Sequence, residues 1–221
     1  MLMLPAMVLA QRNITPRYLL WGGFQQRIVF NERWELFNDA QARLELTDGD
    51  WFNILWRQGI QFKFKNNHTG MIGYARFHLY PNPNNGVFRR EWRLWQEWGA
   101  KQSFERNIFI QRIRIEQRFI ATPETNYKFS TFRARFRVEW QRYLTEQRNT
   151  YLIVGNELII AATRVNFVAL DQNRIFAGLG YKINDAWGVS ITGMHLLLRR
   201  SEIDLESHSI IRFVIQHQLA L

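Results

Sequence analysis

Three stretches of this sequence carry charge at nearly every second position: "FRREWRLWQEW" (88–98), "QRIRIEQRF" (111–119) and "FRARFRVEWQ" (132–141). In an extended chain alternate side chains share a face. One face therefore gathers Arg89, Glu91, Arg93 and Glu97, the next Arg112, Arg114, Glu116 and Arg118, and the third Arg133, Arg135, Arg137 and Glu139. The guanidinium fork matches a carboxylate with two parallel hydrogen bonds, and opposite charges facing each other across strands contribute roughly 0.2–1 kcal/mol per pair. Eight of these twelve residues are Arg, so the surface they form is net positive. Such a surface either pairs with itself and closes, or lines a gap and prefers anions, as charged rings do in channels. Glu157 and Arg174 extend the set, together with Glu35, Asp39, Arg43, Glu45, Arg57 and Arg212.

Nucleophilic chemistry has thinner support. A lipid-acyl hydrolase or transferase would need His208 with Ser207 or Ser209, or the use of His78 or His195. A base must reach its nucleophile and be oriented by a third group. Neighbours on a strand point to opposite faces, which separates His208 from both serines. His78 is expected to join the charged interior, and His68 falls in a turn. The five His show no metal-ligand spacing, and a chain without Cys has no thiol nucleophile or Cys-ligated zinc. "GLGY" (178–181) lacks the strand–loop–helix setting of a phosphate loop. Gly178 and Gly180 are expected to relieve interior crowding or let the sheet bend. We assign no catalytic, cofactor-binding or metal-binding residue, and no cofactor; an acyl enzyme is the alternative.

The elements that must hold these ladders are strands. Two-residue alternation marks eleven: 18–30, 33–47, 51–64, 70–80, 87–98, 105–120, 131–144, 150–162, 173–183, 187–199 and 207–221. They are long for soluble strands, whose usual length is about 5–6 residues, and suit the ~9–11 needed to cross a bilayer. Short connections (31–33, 65–69, 99–104, 144–149, 184–186) alternate with longer ones (81–87, 121–131, 163–172, 199–207), the habit of outer-membrane barrels. Opposite each charged ladder lies an apolar face, such as Ile113, Ile115 and Phe119, or Phe132, Ala134, Phe136, Val138 and Trp140. Trp34, Trp51, Tyr80, Trp98, Tyr143, Tyr151 and Trp187 fall near strand ends, where aromatic girdles sit. The fold class is thus all-β: a transmembrane, antiparallel, up-and-down barrel with apolar faces to lipid and charge inside. Bacterial single-chain barrels have even strand numbers, and an N-terminus on the short-turn side also requires one. Twelve strands are therefore expected, with ten as the alternative.

The 221 residues suit one domain over 11–221, and residues 1–10 read as the tail of a signal peptide. The net charge is +10, with Lys63, Lys65, Lys101, Lys128 and Lys182 the only lysines. A soluble basic β protein that binds nucleic acid or an acidic ligand would need Arg and aromatic residues on one shared face. Here they separate, so no nucleic-acid partner is expected. Taken in order, "RREWRLWQEW" (89–98), "IQRIRIEQRF" (110–119), "FRARFRVEW" (132–140), "VGNELII" (154–160) and "DQNRIFAGLGYKIND" (171–185) resemble the barrel family catalogued as domain of unknown function 2490. The resemblance runs from about Trp21 onward. It implies a porin-like barrel in the outer membrane of a Gram-negative bacterium, with envelope lipid and the barrel assembly machinery as partners, and no known reaction. The expected role is an envelope scaffold or a narrow passive pore for a small anionic solute.

Overall fold

The structure, a computed structural model, describes residues 13–46, 51–79, 89–122, 125–163, 169–199 and 204–221. They form eleven strands: β1 (Asn13–Val29), β2 (Trp34–Glu45), β3 (Trp51–Lys63), β4 (His68–Leu79), β5 (Arg89–Phe104), β6 (Asn107–Ala121), β7 (Lys128–Tyr143), β8 (Thr150–Thr163), β9 (Ala169–Lys182), β10 (Trp187–Arg199) and β11 (Asp204–Ala220). Successive strands pair antiparallel, and β1 pairs parallel with β11 to close the barrel. The expectation of twelve strands, or ten, is therefore corrected to eleven. It assumed that every neighbouring pair is antiparallel; one parallel pair lets an odd number close. The supposed signal-peptide tail at 1–10 lies outside the described residues.

The first strand shows how the seam is accommodated. Residues from Leu19 onward have register partners on β2, whereas Asn13 to Tyr18 have them only on β11. Pro16, which has no N–H to donate, sits in that one-sided stretch. Across the seam the outer face carries a polar ladder. Gln26 lies 3.2 Å from His217, Asn38 donates to Gln26 at 3.3 Å, and Gln58 donates to Asn38 at 2.9 Å.

Turn chemistry is local and readable. "NERW" (31–34) and "NDAW" (184–187) fold alike: Asn31 Oδ1 accepts from the backbone N–H groups of Arg33 and Trp34, and Asn184 Oδ1 from those of Ala186 and Trp187. Asn66 and Asn67 both take positive φ (58° and 60°), the demand of a tight hairpin turn that Asn tolerates. The segment 99–104, expected as a loop, is strand; the turn is confined to Glu105 and Arg106. Lys101, Gln102 and Ser103 give no apolar alternation, yet their backbones pair with Ile110, Phe109 and Ile108, and Phe104 stacks on Phe109 at 5.6 Å.

The pleat sorts the side chains as the alternation demands. Ile113, Ile115, Phe132, Phe136 and Val138 are exposed on the outer face, while Arg114, Glu116, Arg135 and Glu139 are buried inside. Two apolar clusters share the interior with the charges. One gathers Leu19, Trp21, Ile153, Phe176, Met194, Leu196, Leu198 and Ile210; the other gathers Phe37, Leu55, Met71, Ala75, Phe77 and Trp95. Trp95, 1% exposed, lies over the facing glycines Gly59 and Gly73. A Cβ at Gly73 would come within 2.5 Å of the indole and 2.2 Å of the Gln58 carbonyl oxygen. Gly180 likewise makes room for the ring of Tyr151, which confirms the crowding role expected of it.

Candidate functional site: an ionic core beneath a basic vestibule

The central ladders meet in one network on β5 to β9. Arg118 grips Glu91 through both carboxylate oxygens (2.5 and 2.8 Å), and Arg93 bridges Glu91 (2.6 Å) to Glu116 (2.9 Å). Arg135 then bridges Glu116 (2.7 Å) to Glu157 (2.8 Å). Glu157 also accepts from Arg174 (3.2 Å) and from Arg112; Arg112 approaches Glu97 at 3.6 Å, and Arg114 pairs with Glu97 at 2.5 Å. Register explains the pattern: Glu97 faces Arg114, and Glu157 faces both Arg137 and Arg174, while long guanidinium arms reach the next strand. Of the other residues singled out by sequence, Arg137 pairs with Glu139, Arg133 pairs with Asp171 at 2.9 Å, and Arg89 lies exposed at the start of β5.

Cation–π contacts bind the charges to the apolar clusters. Arg93 lies 3.9 Å from the centre of the Phe77 ring, Arg114 4.3 Å from Trp95, Arg43 3.7 Å from Trp21 and Arg137 4.5 Å from Phe176. Further pairs flank the network: Arg57 with Asp39 (2.5 Å), Arg17 with Glu45 (2.9 Å), and Lys63 (2.9 Å) and Arg27 with Glu35. Every strand sends at least one buried side chain inward, from Leu19 on β1 to Ile210 on β11. Together with the ion pairs these side chains fill much of the interior.

Toward the short-turn rim the interior opens into a cavity of about 740 Å³. Its cations are Arg27, Lys63, Lys101, Arg112, Arg114, Arg137 and Arg212; its carboxylates are Glu32, Glu35, Glu97 and Glu139. Phe37, Met71, Ile153, Phe176 and Val214 supply apolar wall. Alternation in the sequence gives the inward set but not its height in the barrel, so this vestibule was not foreseen. Nor were Asp171, Arg17, Arg27, Lys63 and Glu206 as ion-pair partners.

Some expectations are corrected by the register. His78 alternates with Phe77 and lies on the outer face. Tyr143 and Tyr151 point inward near the short-turn rim, 6.0 Å apart ring to ring, and belong to no outer girdle. Trp34, Trp98 and Trp187 are exposed outside, as expected; the Trp51 side chain and Tyr80 lie outside the described residues. His208 is buried inside against Glu206 (2.9 Å), while Ser207 and Ser209 alternate to the other face. His195 and Ser209 are register partners on the outer face, with no hydrogen bond joining them among the described residues. Among the described residues no group of three His, Asp or Glu is placed to hold a metal ion.

The fold and its interior define a class: a closed β-barrel, apolar outside and ion-paired within. The chain belongs to the family described as protein of unknown function (DUF2490), which matches residues 19–205. No curated protein matches the sequence.

Proposed function

We propose that this barrel spans the bacterial outer membrane as an envelope scaffold with a packed interior and a solvent-filled vestibule at its short-turn rim. The observation that carries the reading is the inversion of the two faces. Large apolar side chains stand exposed around the wall, including Ile72 (65%), Ile175 (56%) and Ile191 (52%), while Glu91, Glu116 and Asp39 are sealed inside. Soluble monomers rarely expose contiguous apolar patches beyond a few hundred Å², and lipid is the solvent that suits such a wall. Strands of 12 to 17 residues are ample for a tilted crossing. The partners in this reading are outer-membrane lipid and the machinery that inserts barrels.

The packed middle favours a scaffold over a pore, because a conducted ion would have to displace buried Arg–Glu pairs. No reaction belongs to this reading, since His208 and its neighbouring serines stand on opposite faces. The test combines fractionation with conductance. The protein should enter the outer-membrane fraction, run with heat-modifiable mobility on gels, and give no steady current in planar bilayers. Solubility without detergent would refute the membrane reading. Steady anion-selective current would refute the closed interior and favour the narrow pore.

A further inference from the structure

The vestibule has more cations than its carboxylates occupy. Glu35 is taken by Arg27 and Lys63, Glu97 by Arg114 with Arg112 beside it, and Glu139 by Arg137. Arg212, inward on β11 and lining the cavity, has no hydrogen bond or ion pair among the described residues. Arg137 lines the same cavity, and the two carboxylates that act on Arg212, Asp39 and Glu139, are held by Arg57 (2.5 Å) and by Arg137. Its register partners are Thr192 on β10 and Trp21 on β1, and the Trp21 ring is already covered by Arg43 at 3.7 Å. A half-buried cation with no bonded carboxylate, in a cavity that holds a second cation, is suited to receive an anion.

The rest of the wall sets what the anion is attached to. Phe176, Ile153 and Val214 line the same cavity, and the guanidinium of Arg137 lies on the Phe176 ring. A volume of about 740 Å³ lies within the range of small-molecule sites. We propose that the vestibule binds a small organic anion, its phosphate or carboxylate head between Arg212 and Arg137 and its apolar body against Phe176 and Ile153. This rests on the packed interior and short-turn vestibule proposed above, but not on insertion in a membrane.

The test is calorimetric titration of the refolded barrel in detergent with phenyl phosphate, inorganic phosphate and phenol. Phenyl phosphate should bind saturably, at least tenfold tighter than either other probe. Arg212→Met should weaken it at least tenfold, whereas Arg106→Gln, in the β5–β6 turn, should leave it unchanged. Heat-modifiable mobility shows that each variant is folded; should Arg212→Met fail to fold, Arg212→Lys serves, with weakening of several-fold expected. Absence of saturable binding to folded protein overturns the proposal, as does equal binding of phenol or indifference to Arg212. Insertion into liposomes is scored separately, so a barrel that inserts but does not bind sinks this inference alone.

Discussion

Replacing Glu157 with Gln tests whether the ionic core stabilises the barrel. Its two oxygens accept from Arg135 at 2.8 and 3.0 Å, from Arg174 at 3.2 Å and from Arg112. Gln keeps the shape, removes the charge and turns one acceptor into a donor aimed at cations. Breaking a buried pair by removing one partner costs about 3–5 kcal/mol. Two of the three guanidinium groups retain a close second acceptor: Arg135 has Glu116 at 2.7 Å and Arg174 has Gln172 at 2.5 Å. Arg112 is left with Glu97 at 3.6 Å. The loss should therefore fall near the lower end, about 3 kcal/mol. A matched control is Glu146→Gln, whose partner Arg106 lies 3.4 Å away on the exposed surface; it should cost under about 1 kcal/mol. Urea unfolding in lipid vesicles, followed by Trp fluorescence, gives both values. Adding Arg174→Met to Glu157→Gln should recover part of the loss, because it removes the excess cation. A Glu157→Gln variant indistinguishable from the control would refute the idea that the network holds the interior shut.

Three other outcomes follow from the same geometry. Ile115→Arg, at an exposed position midway along β6, should destabilise the lipid-inserted barrel by about 2–4 kcal/mol; an unchanged unfolding curve in vesicles would count against lipid around this wall. Gly73→Ala should destabilise by about 1–3 kcal/mol through overpacking against Trp95 and the Gln58 carbonyl. Gly22→Ala, where a new Cβ meets nothing within 4 Å, should be neutral or better, and the reverse order in thermal scans would overturn the packing argument. Asn38→Leu removes both outer-ladder bonds, to Gln26 and from Gln58, and should lose about 1.2 kcal/mol, two bonds at their average worth of about 0.6 kcal/mol in membranes. A loss of several kcal/mol would show that the ladder does more than join the wall.

The direction in which each strand faces was legible because pleating enforces a period of two, so Ile113 and Ile115 could be set against Arg114 and Glu116 without knowing any neighbour. Most of the ladder residues therefore reached the interior as expected. Three kinds of error remained. Strand ends depend on backbone pairing, and β5 runs on through Lys101, Gln102 and Ser103, whose side chains carry no signal for it. Counting by parity failed at β1 and β11, because nothing in the sequence distinguishes a parallel closing pair. The facing of His78, Tyr143 and Tyr151 was misjudged by residue type, although alternation from Phe77, Gln141 and Glu157 fixes it. Height within the barrel is set by stagger between strands, which is why the partnership of Arg133 with Asp171, beside a register shift on β8 and β9, had no trace in the sequence.

The parallel seam has a consequence for assembly. Antiparallel neighbours can zip from a turn of a few residues, and ten strands of this wall make five such hairpins. The closing pair has no turn to start from. Gln26 and His217, which meet across it, are 191 residues apart in sequence. Its loop-closure entropy is the largest of any pair in the sheet, and parallel pairing is slightly less stable per residue. The seam should form last and open first, so the polar ladder outside it and the approach of Arg17 to Glu206 at 3.8 Å inside it act as a latch on an otherwise self-starting curtain of hairpins. An odd strand also means that the chain enters the sheet at one rim, at Asn13, and leaves it at the other, at Ala220, so in the membrane reading proposed above tags placed before and after the barrel report on opposite sides of the bilayer.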